Sequence, residues 1–255
     1  LAGIATALGY KVEIVIPEKV SLETKLLLRK LGASLHETTD DLCPRVGTGT
    51  DQSIALARAI SKPRPDIYYM PNQYENNANF LSHYEATGPE IWEQTKGSVT
   101  HFVTGCGTGG TITGTATFLK EKNPHVHVIA VQAQRNHLLQ GLRNFEESAM
   151  PDLFLRRKHV VDEWFTATND ESFLMVKELA QNEKLFVGPS TGAVMSAMVK
   201  ISQGMKNGGS IVGIFADDGR KFKTLYQQLK LFDESQIAKI IGESEHLPSL
   251  AFDSD

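Results

Sequence analysis

Thiols are scarce in this 255-residue chain: only Cys43 and Cys106 occur, far apart. Two such cysteines make neither a disulfide framework nor a metal site of the usual spacing, and a reducing cytosol is the natural compartment. Basic clustering is also absent. The formal net charge is −4, and no basic block exceeds Arg156-Arg157-Lys158. That excludes a nucleic-acid surface as a sensible reading and leaves the run as a solvated loop or helix end. No apolar run reaches the length of a membrane span. The chain does not start with Met, and its apolar opening, Leu1 to Leu8, lacks the basic region of a signal peptide. A strand pattern follows directly, so these residues read as the last turns of a helix that begins upstream.

What is present is ordinary for a globular protein: 41% hydrophobic and 22% charged residues, enough for one large α/β domain or two lobes sharing a hinge. Strand-like and helix-like stretches alternate. Strands are expected at Lys11 to Ile16, Ala33 to His36, Ile67 to Met70, Val99 to Thr104, Val126 to Gln132, Glu163 to Ala167 and Ile211 to Phe215. Helices are expected at Val20 to Leu31, Asp51 to Ile60, Asn77 to Lys96 (interrupted by Gly88-Pro89), Thr111 to Lys122, Asp170 to Glu183 and Thr191 to Gln203. Such alternation implies a parallel sheet covered on both faces. From about Gly242 the sequence is polar and acidic, a loose tail.

The most informative segment is Val103 to Gly114, in which Gly105, Gly107, Gly109 and Gly110 alternate with Thr108 and Thr111 between a buried strand and a helix. Clustered glycines there expose backbone N–H groups beside the positive end of the helix, a phosphate cradle. Two cofactor classes fit. Gly105, Gly107 and Gly110 match the dinucleotide pattern G-x-G-x-x-G, but that pattern needs an acid at the end of the next strand. Here the strand ends Val131-Gln132-Ala133-Gln134-Arg135, where only Arg135 offers itself, to an NADP phosphate. The other class is a phosphate monoester.

Further blocks favour the second class. Asn72 to Asn79, Thr87-Gly88-Pro89-Glu90-Ile91-Trp92, Gly107 to Gly114 and Leu185 to Ala193 follow one another in order, after a Pro17 to Ala33 stretch of the same kind. Together they resemble the fold-type-II pyridoxal-phosphate (PLP) enzymes, in particular the cysteine synthases and cystathionine β-synthases, over residues 1 to 228. The resemblance implies a tryptophan-synthase-β-like α/β architecture. Residues 1–70 would be part of a smaller, mobile, substrate-binding lobe, 71–230 a larger PLP-binding lobe, and 231–255 a C-terminal tail. It implies a phosphate site at Gly107, Thr108, Gly109, Gly110 and Thr111, a cofactor-facing segment starting at Gly188, and a substrate-carboxylate site at Gln73. Asp218 stands where the family commonly has a serine that bonds the pyridine nitrogen. A carboxylate there would keep the nitrogen protonated and strengthen the ring as an electron sink. Alternatively, Asp218 turns away to cap Gly219 or pair with Arg220.

The family's Schiff-base lysine precedes a carboxylate-binding loop that itself precedes the segment matching Leu1. Lys11, Lys19, Lys25 and Lys30 have the positions of surface lysines, so no catalytic residue is assigned. Three functions remain in competition: β-replacement on an activated serine by sulfide or a thiol, a catalytically incompetent PLP- or phosphate-binding chain, and an NADP-binding oxidoreductase. The resemblance further implies a cytoplasmic homodimer acting on small molecules, with no nucleic acid or membrane as partner.

Overall fold

The computed structural model describes residues 1–39, 52–206 and 208–244. Among the described residues, six strands form two parallel sheets. Strands β1 (Val12–Pro17) and β2 (Ala33–Thr38) pair in register from Val12 with Ala33 to Pro17 with Thr38. Strands β3 (Val99–Gly105), β4 (His127–Ala133), β5 (Glu163–Ala167) and β6 (Ser210–Gly213) form the second sheet in the order β5-β4-β3-β6. Strand β3 is thus interior, in keeping with the burial of Val99, Phe102, Val103 and Thr104.

Alternation along the strands builds a core on each face of this sheet. Phe102, Val128 and Ala130 pack with Ile112, Ala116 and Leu119 of the helix Gly110–Lys122. Val103, Ile129 and Val131 face the other way, onto Val176 and Leu179 of the helix Asn169–Asn182 and Val194 and Ala197 of the helix Pro189–Gly204. Residues 1–70 contribute to neither core; among those described, Ala2 and Ala33 are their only buried apolar side chains. Polar bonds join them to the helical segment that follows β6, Gly219 to Gln228. Glu23 Oε1 accepts from the Thr224 N–H at 2.8 Å, and Ser21 Oγ donates to the Lys221 carbonyl at 3.5 Å.

Three expectations need correction. Residues 67–70 form no strand. Ile67 and Tyr68 are drawn into a turn by bonds to the Arg64 carbonyl, and Ile67 and Tyr69 are 68% and 82% exposed. Gly88-Pro89 does not interrupt its helix. The chain passes from Asn77–Ser82 through one π-helical turn, His83–Thr87, into Gly88–Gln94, where proline occupies a first-turn position that needs no N–H bond. Finally, the stretch after residue 230 does not start as a tail. Phe232, Ile237 and Ile240 are buried in the core, the last two on the helix Glu234–Ser244. Residues 245–255 lie outside the described residues, as do Cys43 and most of the segment between β2 and the helix Gln52–Ser61. Arg157, read as part of a solvated run, stacks its guanidinium 3.9 Å from the Phe80 ring centre and bonds Asn77.

Candidate active site

At the carboxyl end of β3 a cavity of about 440 Å³ opens, within the range of small-molecule pockets. Its floor is Thr104 and Gly105, and its near wall is the loop Gly107, Thr108, Gly109 and Thr111. The far wall is Ile214, Ala216 and Asp217; Ser190 and Val194 come from the start of the helix Pro189–Gly204. Gly141, Leu142 and Arg143 form a third side, with Gln73 and Tyr74 at the rim. A wider groove of about 1000 Å³ shares Gln73, Tyr74, Gly141, Leu142 and Arg143 and extends to β1. Central strand, loop and helix N-terminus therefore stand together at the sheet end where open α/β sheets take ligands.

The loop glycines divide by task. Gly109 has φ +86°, which a side chain resists, and a Cβ there would meet the Phe154 ring at 2.8 Å. Its side-chain direction is toward the core, so glycine is required by backbone and packing and not by space for an anion. Gly110, unlike Gly109, does not line the cavity. A Cβ on it would overlap Asn79, with Nδ2 at 2.7 Å. The cavity receives from this loop its backbone and two hydroxyls, those of Thr108 and Thr111. The first N–H of the following helix to find a carbonyl four residues back is that of Thr113, bonded to Gly109. The preceding amides of the helix have no partner in its own ladder.

Asp218 is not brought to the cavity. Its carboxylate caps the Arg220 N–H at 2.8 Å and grips the Arg220 guanidinium with both oxygens, while Asp217 lines the cavity in its place. Burial pushes the Asp218 carboxyl up, but the Arg220 bonds outweigh it and hold it below the ordinary value. Asp218 lines instead a smaller cleft with Glu23, Thr24, Leu27, Arg220 and Lys221. Asp217 pairs with Lys221. Gly188 stands behind the wall as the N-cap of its helix, its N–H bonded to the Asp217 carbonyl at 2.8 Å. The adjoining Val187 carbonyl is fixed by the hydroxyl of the buried Tyr226 at 2.6 Å. Burial first, then Asp217 and Asp218, push that phenol upward, so it is a permanent donor.

Arg143 was not singled out by sequence. Its guanidinium lies 5.1 Å from the Tyr74 ring centre and donates to the Tyr74 hydroxyl at 3.3 Å. It follows Gly141 in an irregular stretch without periodicity, so nothing local marked it. Ser190 lies within the Leu185 to Ala193 block and Asp217 adjoins Asp218, but neither was singled out by sequence. Arg135, which the sequence offered to an NADP phosphate, is paired with Glu146 at 2.8 Å. The donors here suit a phosphate monoester: two hydroxyls, open amides and a helix start, with no acid on the loop. Among the described residues no group of three metal-ligating side chains occurs.

Residues 1–217 match a family model described as pyridoxal-phosphate dependent enzyme. A cysteine synthase of Aquifex aeolicus is 40% identical over 228 residues, covering 88% of this chain and 67% of that protein. The O-acetylserine dependent cystathionine beta-synthase of Bacillus subtilis is 33% identical over 235 residues, 89% of this chain and 74% of its own. Of solved structures, the O-acetylserine dependent cystathionine beta-synthase from Helicobacter pylori superimposes with a TM-score of 0.78 at 29% identity, covering 88% of this chain and 72% of that one. These matches remove the dinucleotide reading: the chain belongs to the pyridoxal-phosphate dependent enzymes, and its cofactor is pyridoxal 5′-phosphate.

Proposed function

We propose that the protein catalyses β-replacement on an activated L-serine by a sulfur nucleophile, sulfide or a thiol, giving cysteine or a related amino acid. The observation that carries this is the cavity at the end of β3, with hydroxyls and open amides suited to a phosphate on one wall and a wider groove opening beyond Gln73, in a chain similar to named cysteine synthases. Bound PLP supplies the electron sink that lets an α-proton and a β-substituent depart. Gly107 to Thr111 hold its phosphate through N–H groups and hydroxyls. Gln73 binds the substrate carboxylate. Gly188 serves through its backbone by spacing the helix start from Asp217. The 217–218 turn would supply the group that bonds the cofactor's pyridine nitrogen, and of its two acids Asp217 lines the cavity while Asp218 does not.

Of the donors, O-acetylserine, O-phosphoserine and serine, the guanidinium of Arg143 favours O-phosphoserine, whose leaving group is an anion that arginine binds with two donors. Replacing Arg143 with alanine is expected to lower kcat/KM for O-phosphoserine by about 10- to 100-fold, the worth of a charged hydrogen bond, and to leave that for O-acetylserine nearly unchanged. Equal losses for both donors would place Arg143 in the scaffold.

No lysine lines either cavity among the described residues. We therefore propose that residues 1–255 do not carry the amine that binds the cofactor covalently, and that they are inactive alone. Residues 1–70 act as part of a smaller, mobile lobe and 71–230 as the larger, PLP-binding one, with the stretch from 231 docked on it, in a cytoplasmic homodimer. The test is to add PLP, reduce with borohydride and map modified lysines, with and without roughly 50 to 70 upstream residues. Cysteine is assayed in both. Turnover by 1–255 with one lysine stoichiometrically labelled would refute the lysine assignment. Absence of turnover in the extended chain would favour the second reading, a catalytically incompetent PLP-binding protein.

A further inference from the structure

The helical segment 77–87 lies directly behind the phosphate loop, closer than side chains normally allow. Gly110 and Gly114 sit one turn apart on the facing helix. A Cβ at Gly114 would overlap the Phe80 carbonyl and stand 2.8 Å from His83 Cβ and 2.9 Å from the Tyr84 nitrogen. This approach puts Asn79 and His83, four residues apart on one helical face, against the two loop hydroxyls. Asn79 Nδ2 lies 3.0 Å from Thr108 Oγ1, and His83 Nε2 lies 3.1 Å from Thr111 Oγ1.

The direction of the first bond follows from chemistry. Asn79 Nδ2 also lies 2.8 Å from the Gln73 carbonyl, which can only accept. The amide orientation is thereby fixed, and Thr108 Oγ1 must accept as well. Its own hydrogen is then free for another acceptor. For the second bond, His83 Nδ1 faces Thr87 Oγ1 at 2.9 Å. Burial disfavours the charged imidazole, and one neutral tautomer joins everything in one direction. Thr87 donates to Nδ1, Nε2–H donates to Thr111, and the Thr111 hydrogen is left for the cavity. The other tautomer turns that hydrogen away.

We propose that Asn79 and His83 are positioning residues that occupy the Thr108 and Thr111 oxygens from behind, so that both hydroxyls donate into the cavity to a phosphate monoester. The proposal rests on the anion-site reading of this loop. Binding of the anion then selects the Nε2–H tautomer of His83.

The experiment uses the full chain, with inorganic phosphate and PLP as probes. Dissociation constants are measured for Asn79→Ala, Thr108→Val and their double variant, and for His83→Leu, Thr111→Val and theirs. Each single change is expected to weaken phosphate binding about tenfold, as loss of one charge-assisted bond does. Each double variant should lose little more than its singles. Independently of any variant, 15N NMR of the unaltered protein should show His83 protonated at Nε2 once phosphate is added. Multiplicative losses in the double variants, or His83 protonated at Nδ1 in the phosphate complex, overturn the proposal while leaving the anion site standing. Failure of the unaltered chain to bind phosphate or PLP overturns both.

Discussion

Gly114→Ala tests the packing that underlies the phosphate loop, because two elementary expectations for it have opposite signs. In the middle of a helix, alanine for glycine gains about 1 kcal/mol of propensity. Here, however, the added methyl would meet the Phe80 carbonyl, His83 Cβ at 2.8 Å and the Tyr84 nitrogen at 2.9 Å. Two of these are backbone atoms, so no rotamer change relieves the overlap. Ordinary contact needs 3.5–4.0 Å, and the 77–87 segment must retreat by roughly 1 Å. Overpacking of that kind costs about 1–3 kcal/mol. The retreat also stretches the 3.1 Å His83–Thr111 contact past hydrogen-bonding range. Offsetting the propensity gain against this cost, we expect a net loss of up to about 2 kcal/mol, seen as a lower urea midpoint at unchanged slope, together with weaker phosphate binding. A midpoint above that of the unaltered chain, with phosphate binding unchanged, would refute the close approach.

Gly109→Ala should destabilise the chain by about 1–3 kcal/mol, because the positive φ and the Phe154 side chain both resist a methyl there; an unchanged urea midpoint would show that neither demands glycine. Cys106 is buried and its thiol is pushed up to about 12. Because the thiolate forms only near that pH, its peptide should stay unlabelled by iodoacetamide from about pH 7 to 9 and label only on unfolding. Asp218→Asn should change PLP affinity less than threefold, roughly half a hydrogen bond, because its carboxylate is turned to Arg220; a loss above tenfold would return Asp218 to the cofactor. Glu23→Gln removes a carboxylate held below its ordinary value by Thr224 bonds that outweigh its burial. The stability it gives the acceptor should be present above the unfolded carboxylate pKa and fade as pH falls, so a urea midpoint difference between Glu23→Gln and the unaltered chain that does not shrink on acidification would contradict the bond.

The sheet was legible because its strands are short β-branched runs between glycine and helix patterns, and β5 falls on the expected residues, Glu163 to Ala167. Ends slipped by one or two residues elsewhere, as with Val12–Pro17 against Lys11 to Ile16. Ile67 to Met70 misled because apolar and aromatic residues are as compatible with an exposed turn as with a strand when no partner strand is at hand. The turn from β3 into the next helix was legible from glycine and threonine alone, yet the reasons for its glycines were not. Gly109 answers to Phe154, and Gly110 to Asn79, contacts between residues 45 and 31 positions apart. Arg143 and Asp217 reach the cavity only by tertiary folding. Which of two adjacent acids faces it depends on Arg220 capturing the other.

The first 70 residues are stitched to the remainder rather than fused with it. With only two alanines buried there among the described residues, opening this sheet exposes little apolar surface, so it requires less free energy than global unfolding. Native-state hydrogen exchange should therefore be fast in β1 and β2 and slow in β3 and β4. The stitch at Ser21 runs to the carbonyl of Lys221, whose ammonium holds Asp217 on the cavity wall. Occupation of the cavity and closure of the small sheet thus share a residue. Exchange in β1 should slow when PLP binds.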